Sequence, residues 1–245
     1  MDECTGKGGK ATLFGVGVGP GDPEDITLRA LRIMRACPVI LLPQAPPERC
    51  AAWRIALQAC PELEAKRVVC APIPMVRDAE QLVAAYDEAA DCALDMLGQG
   101  LDVAFLTIGD PTVYSTFAPI AKRVAEKGGS VRWVGGVTSF CAAAAALGMP
   151  LAKGDENVSI FAGGAPAQDA AAGRPATEVY MKSGKALDGL VDWLKKRSRS
   201  ERLQISAVSN CGYDDQRLYF HLEEIPASSP YMTVVIVKRC CSEDV

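Results

Sequence analysis

Histidine is nearly absent from this 245-residue sequence, which contains a single one, His221. A zinc site built from several histidines is therefore excluded, and a Ser-His-Asp hydrolase would have to use that one imidazole. Cysteine is plentiful, with ten residues, but no two have the CxxC spacing of a zinc ligand pair or a redox dithiol. We therefore expect no protein-bound metal and mostly reduced, buried cysteines in a cytoplasmic protein.

Long apolar runs and an excess of positive charge are also missing. No uninterrupted apolar stretch approaches 18 residues, which argues against a membrane span, and the first fifteen residues lack the apolar core of a signal peptide. Lys and Arg total 26 against 30 Asp and Glu, which gives a net charge of −4 and a pI of about 5.2. This balance argues against general nucleic-acid binding, but it is compatible with a local basic pocket for an acidic ligand.

Short apolar strands alternate with helical stretches over residues 11–150, and this order predicts a parallel sheet with helices on both faces. After Gly148-Met149-Pro150 the pattern changes, and the last strands favour antiparallel pairing. We predict two α/β domains, 11–150 with a parallel sheet and 153–245 with a mixed sheet, and a ligand cleft between them. Residues 1–10 and 162–175 are predicted to form a polar tail and a loop. The predicted helices are 27–37, 47–59, 79–98, 113–127, 139–147 and 185–197.

Three glycine-containing turns each follow a predicted strand and precede a predicted helix, where open α/β sheets bind their ligands. The first, Gly15-Val-Gly-Val-Gly-Pro-Gly-Asp-Pro23, lacks the GxGxxG spacing of dinucleotide sites, and no P-loop Gly-Lys-Ser/Thr follows it. Asp22 would also repel a phosphate at the start of the next helix. The alternative is a tight strand-to-helix turn whose glycines serve the backbone alone.

The second turn, GDPTVYS (109–115), brings Asp110 to the end of an apolar strand. Its carboxylate can accept hydrogen bonds from a ligand hydroxyl or ammonium; alternatively, Asp110 only caps the next helix, with Pro111 at the first helical position. The third turn, GGVTSFC (135–141), offers Thr138 as an N-cap with free backbone N–H groups beyond it. Three such turns without phosphate-binding residues predict a ligand that is neutral or cationic where it meets the protein.

Three segments together resemble the tetrapyrrole (corrin/porphyrin) methyltransferases: GVGVGPGDPEDITLRA (15–30), LTIGDPTVYSTF (106–117) and GGVTSFCAAAAALGMPL (135–151). GDPTVYST followed by GVTSFCAAAA is most similar to the branch that methylates precorrin-2 at carbon 20. The resemblance is strongest over 11–161, and Gly135-Gly136 replaces the Pro-Gly that is usual in the family. The alternatives are a family member acting at another ring position, a diphthamide-type protein methyltransferase of the same fold, and a non-catalytic nucleotide-binding α/β module.

The resemblance implies two α/β domains, S-adenosylmethionine (SAM) as the methyl donor, a tetrapyrrole substrate and usually a homodimer. A SAM site agrees with the glycine turns, because SAM carries no phosphate and its sulfonium and ammonium groups tolerate nearby carboxylates. The positions that match the family's SAM contacts are Pro20, Gly109, Asp110, Val113, Thr138, Ser139, Met181 and Val208.

Methyl transfer from SAM is a displacement at a carbon that the sulfonium already activates, so the protein's main task is to position the two reactants. A proton must then leave the methylated ring carbon; Asp110, Tyr114 and Glu156 are candidate acceptors, and no spacing distinguishes among them. The substrate implied by the resemblance carries many carboxylates, which require local cations. The candidates are Arg49, Arg54, Lys153 and Lys182. These patterns do not show whether the substrate already holds cobalt. His221 is the one candidate histidine ligand for that ion.

Overall fold

The computed structural model describes residues 10–76, 78–163, 176–182, 184–226 and 230–239. The chain forms two compact units, Met1–Thr138 and Ser139–Val245. The predicted boundary lies later, at 150–153; helix α5 (Ser139–Ala146) accounts for the difference, because it lies against strands of the second unit. The polar tail and the loop 162–175 predicted from the sequence fall almost entirely outside the described residues.

The first unit contains a five-stranded sheet in which all neighbouring strands are parallel. In sheet order the strands are β3 (Arg67–Cys70), β2 (Val39–Leu42), β4 (Val103–Thr107), β1 (Thr12–Gly17) and β5 (Ser130–Val134). Every residue of β1, β2 and β4 is buried, as expected for inner strands of a parallel sheet covered on both faces. Because all five strands run in one direction, their carboxyl ends meet at a single edge, called here the carboxyl edge.

Four helices connect these strands, and local side-chain hydrogen bonds set where two of them begin. Thr27 caps the first, since its Oγ1 accepts the N–H of Ala30 at 3.1 Å, and Asp78 caps the third in the same way. The predicted helix 47–59 is instead a 3-10 turn at Pro47–Arg49 followed by a shorter α-helix. The helices are α1 (Leu28–Ala36), α2 (Ala51–Ala59), α3 (Ala79–Gly98) and α4 (Phe117–Glu126).

The predicted helix 113–127 is wrong at its start, because α4 begins only at Phe117. Ser115 Oγ accepts the backbone N–H of Phe117 at 3.1 Å and is 3.0 Å from Thr107 Oγ1. These hydrogen bonds hold the segment before α4 against the end of β4 and keep it out of the helix. Phe117 then enters the core, where Gly15 makes room for it: a Cβ at Gly15 would lie 2.2 Å from the Phe117 ring.

The second unit contains a mixed five-stranded sheet, as predicted. Strands β6 (Asn157–Ala162) and β7 (Ala176–Met181) pair parallel, and all other neighbours pair antiparallel. Helix α6 (Leu187–Arg197) covers one face, where Leu190 and Leu194 pack with Tyr180 and Val235. In sheet order the strands are β6 (Asn157–Ala162), β7 (Ala176–Met181), β10 (Thr233–Arg239), β8 (Leu203–Ser209) and β9 (Arg217–Tyr219).

A buried group of charged side chains, called here the ion cluster, joins β7 to α6. Arg197 donates to both carboxylate oxygens of Glu178, at 2.6 and 2.9 Å, and to Glu201 at 2.8 Å. The hydroxyl of Tyr180 donates to Glu178 at 2.7 Å, and Arg239 lies 3.6 Å from the same carboxylate. The Arg197 and Glu178 side chains are only 9% and 6% exposed, so each depends on the other to replace lost hydration.

Candidate functional site

The three glycine turns lie side by side at the carboxyl edge, because the strands they follow are neighbours in the order β4-β1-β5. They are called here loop 1 (18–22, after β1), loop 2 (108–116, after β4) and loop 3 (135–138, after β5). Loops 1 and 2 are joined directly: the N–H of Gly109 donates to the carbonyl of Gly19 at 2.7 Å. Sequence spacing predicted each turn, and the strand order brings the three together.

Glycine is required at the end of β1 and in loop 3, because the backbones approach each other closely there. A Cβ at Gly17 would lie 2.4 Å from the Gly109 carbonyl oxygen, and a Cβ at Gly136 would lie 2.2 Å from the same oxygen. Real Cβ atoms essentially never come within 3.0 Å of such an atom. Three main chains therefore meet around one carbonyl, and their glycines do more than form separate tight turns.

Asp110 ties loop 2 to loop 3. Its Oδ1 accepts the Thr112 N–H at 2.7 Å and a short hydrogen bond from the Thr112 hydroxyl, while its Oδ2 accepts the Gly136 N–H at 2.9 Å. Partial burial of the carboxyl works against its ionisation, but these hydrogen bonds prevail and lower the pKa of Asp110. The alternative that Asp110 only caps the next helix is wrong, since α4 begins seven residues later.

Thr138 ends loop 3 with an unsatisfied hydroxyl. Its Oγ1 is buried and has no hydrogen-bond partner among the described residues, so the predicted N-cap hydrogen bond is not formed. Buried hydroxyls are normally paired, and this one can both donate and accept. A ligand with a polar group at the carboxyl edge would satisfy it. Of the other predicted contacts in this unit, Pro20 is buried and Val113 is half-buried.

The two SAM-contact candidates in the second sheet, Met181 and Val208, share one face of it. Register places Val208 opposite Val234, and Tyr180 opposite Val235. Tyr180 faces the core under α6, so the next residue, Met181, points to the other face of the sheet. There Met181 and Val208 lie on either side of Val234. Met181 is 9% exposed and Val208 is fully buried; their contact with SAM stays a prediction.

The other two candidate proton acceptors have different surroundings. Tyr114, in loop 2, is 47% exposed and has a positive φ of 48°, a backbone conformation that costs energy for an aromatic residue and is found most often at functional sites. Glu156 accepts the N–H of Lys153 at 2.9 Å and pairs with Lys238 at 3.3 Å. Burial opposes ionisation of the Glu156 carboxyl, but these contacts prevail and lower its pKa. No residue is singled out as the base.

The candidate substrate-binding cations fall into two groups. Arg49 and Arg54 are exposed and follow β2, so they lie on the carboxyl-edge side of the first unit. Lys153 precedes β6, and Lys182 directly follows β7 in the second unit. Lys182 has a φ of 55°, and partial desolvation of its ammonium lowers its pKa.

His221 is exposed, and its backbone N–H donates to Glu224 at 3.2 Å in a 3-10 turn. Within the described ranges, no group of three or more His, Cys, Asp or Glu side chains is placed to hold a metal ion. No helix in the described part of the chain has the length and apolarity needed to cross a membrane.

The sequence pattern indicates neither Thr27 as part of this edge nor Gly136 as the partner of Asp110. Thr27 Oγ1 donates to the carbonyl of Gly135 at 3.3 Å and so fixes the start of α1 beside loop 3. The sequence shows only that glycines follow three of the strands. Which of these glycines come together depends on which strands are neighbours in the sheet.

Comparison with known proteins agrees with this architecture. Residues 12–226 match the family profile described as Tetrapyrrole (Corrin/Porphyrin) Methylases. The chain is 31% identical over 231 residues to a probable cobalt-precorrin-2 C(20)-methyltransferase of Methanocaldococcus jannaschii, with 93% of this chain and 96% of that protein covered. It is 26% identical to a precorrin-2 C(20)-methyltransferase of Sinorhizobium sp, with 94% and 96% covered.

A solved structure shares the fold. Uroporphyrin-III C-methyl transferase from Thermus thermophilus, complexed with S-adenyl homocysteine, superimposes with a TM-score of 0.63 at 22% identity, over 93% of this chain and 96% of that one.

The fold and the family match together define the class of protein, an α/β methyltransferase of a SAM-dependent family. The chain belongs to the tetrapyrrole (corrin/porphyrin) methylases, a family of SAM-dependent enzymes. The family and fold class predicted from the three glycine-loop motifs are thus confirmed, and the non-catalytic nucleotide-binding alternative is set aside.

Proposed function

We propose that this enzyme transfers a methyl group from SAM to carbon 20 of precorrin-2 or cobalt-precorrin-2 in cobalamin biosynthesis. The observation that carries the proposal is similarity over nearly the whole chain to proteins named for that reaction. The segments GDPTVYST and GVTSFCAAAA, which sequence analysis associated with the carbon-20 branch, form loops 2 and 3 and the start of α5. The alternative is methylation at another ring position by the same fold.

SAM binding at the carboxyl edge is supported by three features of loops 1–3. The backbones approach closely without side chains, the Thr138 hydroxyl lacks a partner among the described residues, and Asp110 keeps a negative charge suited to a cationic ligand. We propose the full contact set carried by the resemblance. It comprises Pro20, Gly109, Asp110, Val113, Thr138, Ser139, Met181 and Val208.

In the proposed reaction SAM supplies an electrophilic methyl group, and the chain supplies orientation. Holding two reactants in a reactive geometry lowers a barrier by roughly 7–11 kcal/mol. Asp110 contributes by fixing loop 3 through the Gly136 N–H. Because both of its oxygens accept hydrogen bonds and its pKa is lowered, it is a poor acceptor for the substrate proton.

Replacing Asp110 with Ala is expected to weaken SAM binding or turnover at least tenfold, about 1.4 kcal/mol. The change removes the anchor of loop 3 and a nearby negative charge. Calorimetric titration with SAM measures the loss, with NAD and ATP as ligands that the wild-type enzyme should not bind. Asp102→Ala is the matched control, because Asp102 also accepts a backbone N–H, that of Thr12 at 2.8 Å, but at the opposite edge of the sheet. Equal SAM affinity in the two variants would contradict the assignment.

Incubation with SAM carrying a carbon-13 methyl group tests the ring position. One added methyl is expected, with its NMR signal on the meso carbon at position 20. Parallel reactions with precorrin-2 and cobalt-precorrin-2 show which substrate is used. A signal on a pyrrole-derived carbon would assign the enzyme to another branch of the family. Label found on a protein would show that the substrate is not a tetrapyrrole.

We further propose a homodimer located in the cytoplasm, as the resemblance implies. Sedimentation of the purified chain would give the mass, and a monomer at micromolar concentration would contradict the assembly.

A further inference from the structure

The peptide unit that joins Gly135 to Gly136 in loop 3 is held at both of its polar groups. Its carbonyl oxygen accepts the Thr27 hydroxyl at 3.3 Å, and its N–H donates to Asp110 Oδ2 at 2.9 Å. The two side chains belong to separate segments, at the start of α1 and in loop 2, which lie 108 and 26 residues away in the sequence. One peptide plane, called here the clamped peptide, is therefore fixed from two sides.

The clamped peptide needs these restraints because a glycine lies on each side of it. A peptide plane is rigid, so it changes orientation only by rotation about the single bonds that flank it. Glycine accepts backbone conformations that other residues disfavour, so two glycines make this rotation easy. The reversed orientation would turn the Gly135 carbonyl towards the Asp110 carboxylate, an acceptor facing an acceptor. Asp110 thus opposes the reversed orientation, and Thr27 stabilises the observed one.

The Thr27 hydroxyl makes two hydrogen bonds with different purposes. It accepts the Ala30 N–H at 3.1 Å, which caps α1, and it donates its own proton to the Gly135 carbonyl. An ionised aspartate could supply the cap equally well, but it has no proton to donate, whereas a hydroxyl does both. The hydroxyl at position 27 therefore serves loop 3 as well as the helix.

Loop 3 has little room to absorb a change at the clamped peptide. Gly136 lies so close to loop 2 that an added Cβ would be 2.2 Å from the Gly109 carbonyl oxygen. Thr138 follows two residues later, with the buried hydroxyl that lacks a partner among the described residues. We propose that Thr27 is a positioning residue for SAM: by holding the clamped peptide, it sets the path of loop 3 towards Thr138. This inference rests on the proposed SAM site and adds a residue that acts through loop 3.

Amide hydrogen exchange at Gly136 in the ligand-free protein tests the clamp directly, because exchange reports local opening. Thr27→Val keeps the shape of the side chain but removes its hydroxyl, and exchange of the Gly136 N–H is expected to become at least tenfold faster. Thr27→Ser keeps the hydroxyl and should exchange at the wild-type rate. Asp78→Ala is the matched control, because Asp78 caps α3 in the same unit and, as a carboxylate, donates no hydrogen bond. Equal acceleration in Asp78→Ala would overturn the clamp, as would an unchanged rate in Thr27→Val.

A double-mutant cycle with SAM connects the clamped peptide to ligand binding. Thr27→Val alone is expected to raise the Kd for SAM at least fivefold, while Thr27→Ser stays within twofold of the wild type. Because Thr27 and Asp110 hold the same peptide, Thr27→Val combined with Asp110→Ala should raise the Kd by less than the product of the two separate factors. An effect equal to that product would show that Thr27 acts only as a helix cap, and the positioning role would be wrong.

The outcomes separate this inference from the function on which it rests. Wild-type SAM affinity in Thr27→Val would overturn the positioning role and leave the proposed function intact. If the wild-type protein does not bind SAM, the proposed function and the positioning role both fail, whatever the exchange rates. Thr27→Ala also removes the hydroxyl, and circular dichroism shows which variants fold, so the test stays decisive if the valine variant is unstable.

Discussion

Gly136→Ala is expected to reduce methyl transfer more than a hundredfold and to remove measurable SAM binding. The added Cβ would lie 2.2 Å from the Gly109 carbonyl oxygen and 2.9 Å from the backbone carbon of Gly17. None of these is the free end of a flexible side chain, so loop 3 must move away from loops 1 and 2. That movement would break the hydrogen bond from the Gly136 N–H to Asp110 and displace the adjacent Thr138.

Gly98→Ala is the matched control for this change. Gly98 ends α3, and a Cβ added there meets no atom within 4 Å. Alanine is the better helix former by about 1 kcal/mol, so this variant should be as stable as the wild type or more so and fully active. Calorimetry with SAM and single-turnover assays measure both variants. A Gly136→Ala enzyme with wild-type SAM affinity would show that the three loops do not form the binding site.

Arg197→Leu is expected to destabilise the protein by about 3–5 kcal/mol, because removing one partner leaves a buried charge without compensation. Among the described residues of the ion cluster, the Glu178 carboxylate would keep the Tyr180 hydroxyl and the more distant Arg239 as partners. Urea denaturation at pH 7 gives the change in the free energy of unfolding. Lys195→Gln is the control: its pair with Asp192 is exposed, at 4.0 Å, and should contribute less than about 1 kcal/mol.

The same cluster predicts the response to acid. Burial opposes ionisation of Glu178, but Arg197 and Tyr180 prevail and lower the pKa of Glu178 below its ordinary 4.5. A lowered carboxyl pKa gives stability that is fully present above the ordinary value and is lost as the pH falls through the folded-state value. Wild-type stability should therefore decline below about pH 4.5, and Arg197→Leu should show a weaker decline. Equal slopes in the two proteins would contradict the role assigned to this pair.

Local patterns in the sequence were sufficient to predict the elements of the fold and the positions of the three loops. Apolar strand runs and the glycines after them act over a few residues, and the structure places them as expected. The start of α4 was missed, because polar contacts around Ser115 override the helical pattern there.

Contacts between distant segments could not be predicted in the same way. The Asp110–Gly136 hydrogen bond spans 26 residues and depends on β1 separating β4 from β5. The pairing of Arg197 with Glu178 likewise depends on where α6 crosses the second sheet. Only the resemblance predicts that the glycine turns bind SAM, because glycine spacing reflects a close backbone approach and not the chemistry of the ligand.

The position of β1 between β4 and β5 in the first sheet also governs how the chain must assemble. Its two partners come late in the sequence, so that Thr12 meets Ser130 across a separation of 118 residues. During synthesis, β1 has no neighbour to pair with until β4 has left the ribosome, and loop 3 is later still. Contacts between such distant segments make folding slow, and the carboxyl edge is incomplete until β5 and loop 3 are in place. A ligand that recognises only the finished edge adds its binding energy to the folded state alone. With SAM as the ligand proposed for this edge, the supply of methyl donor would help to set how much of this enzyme persists.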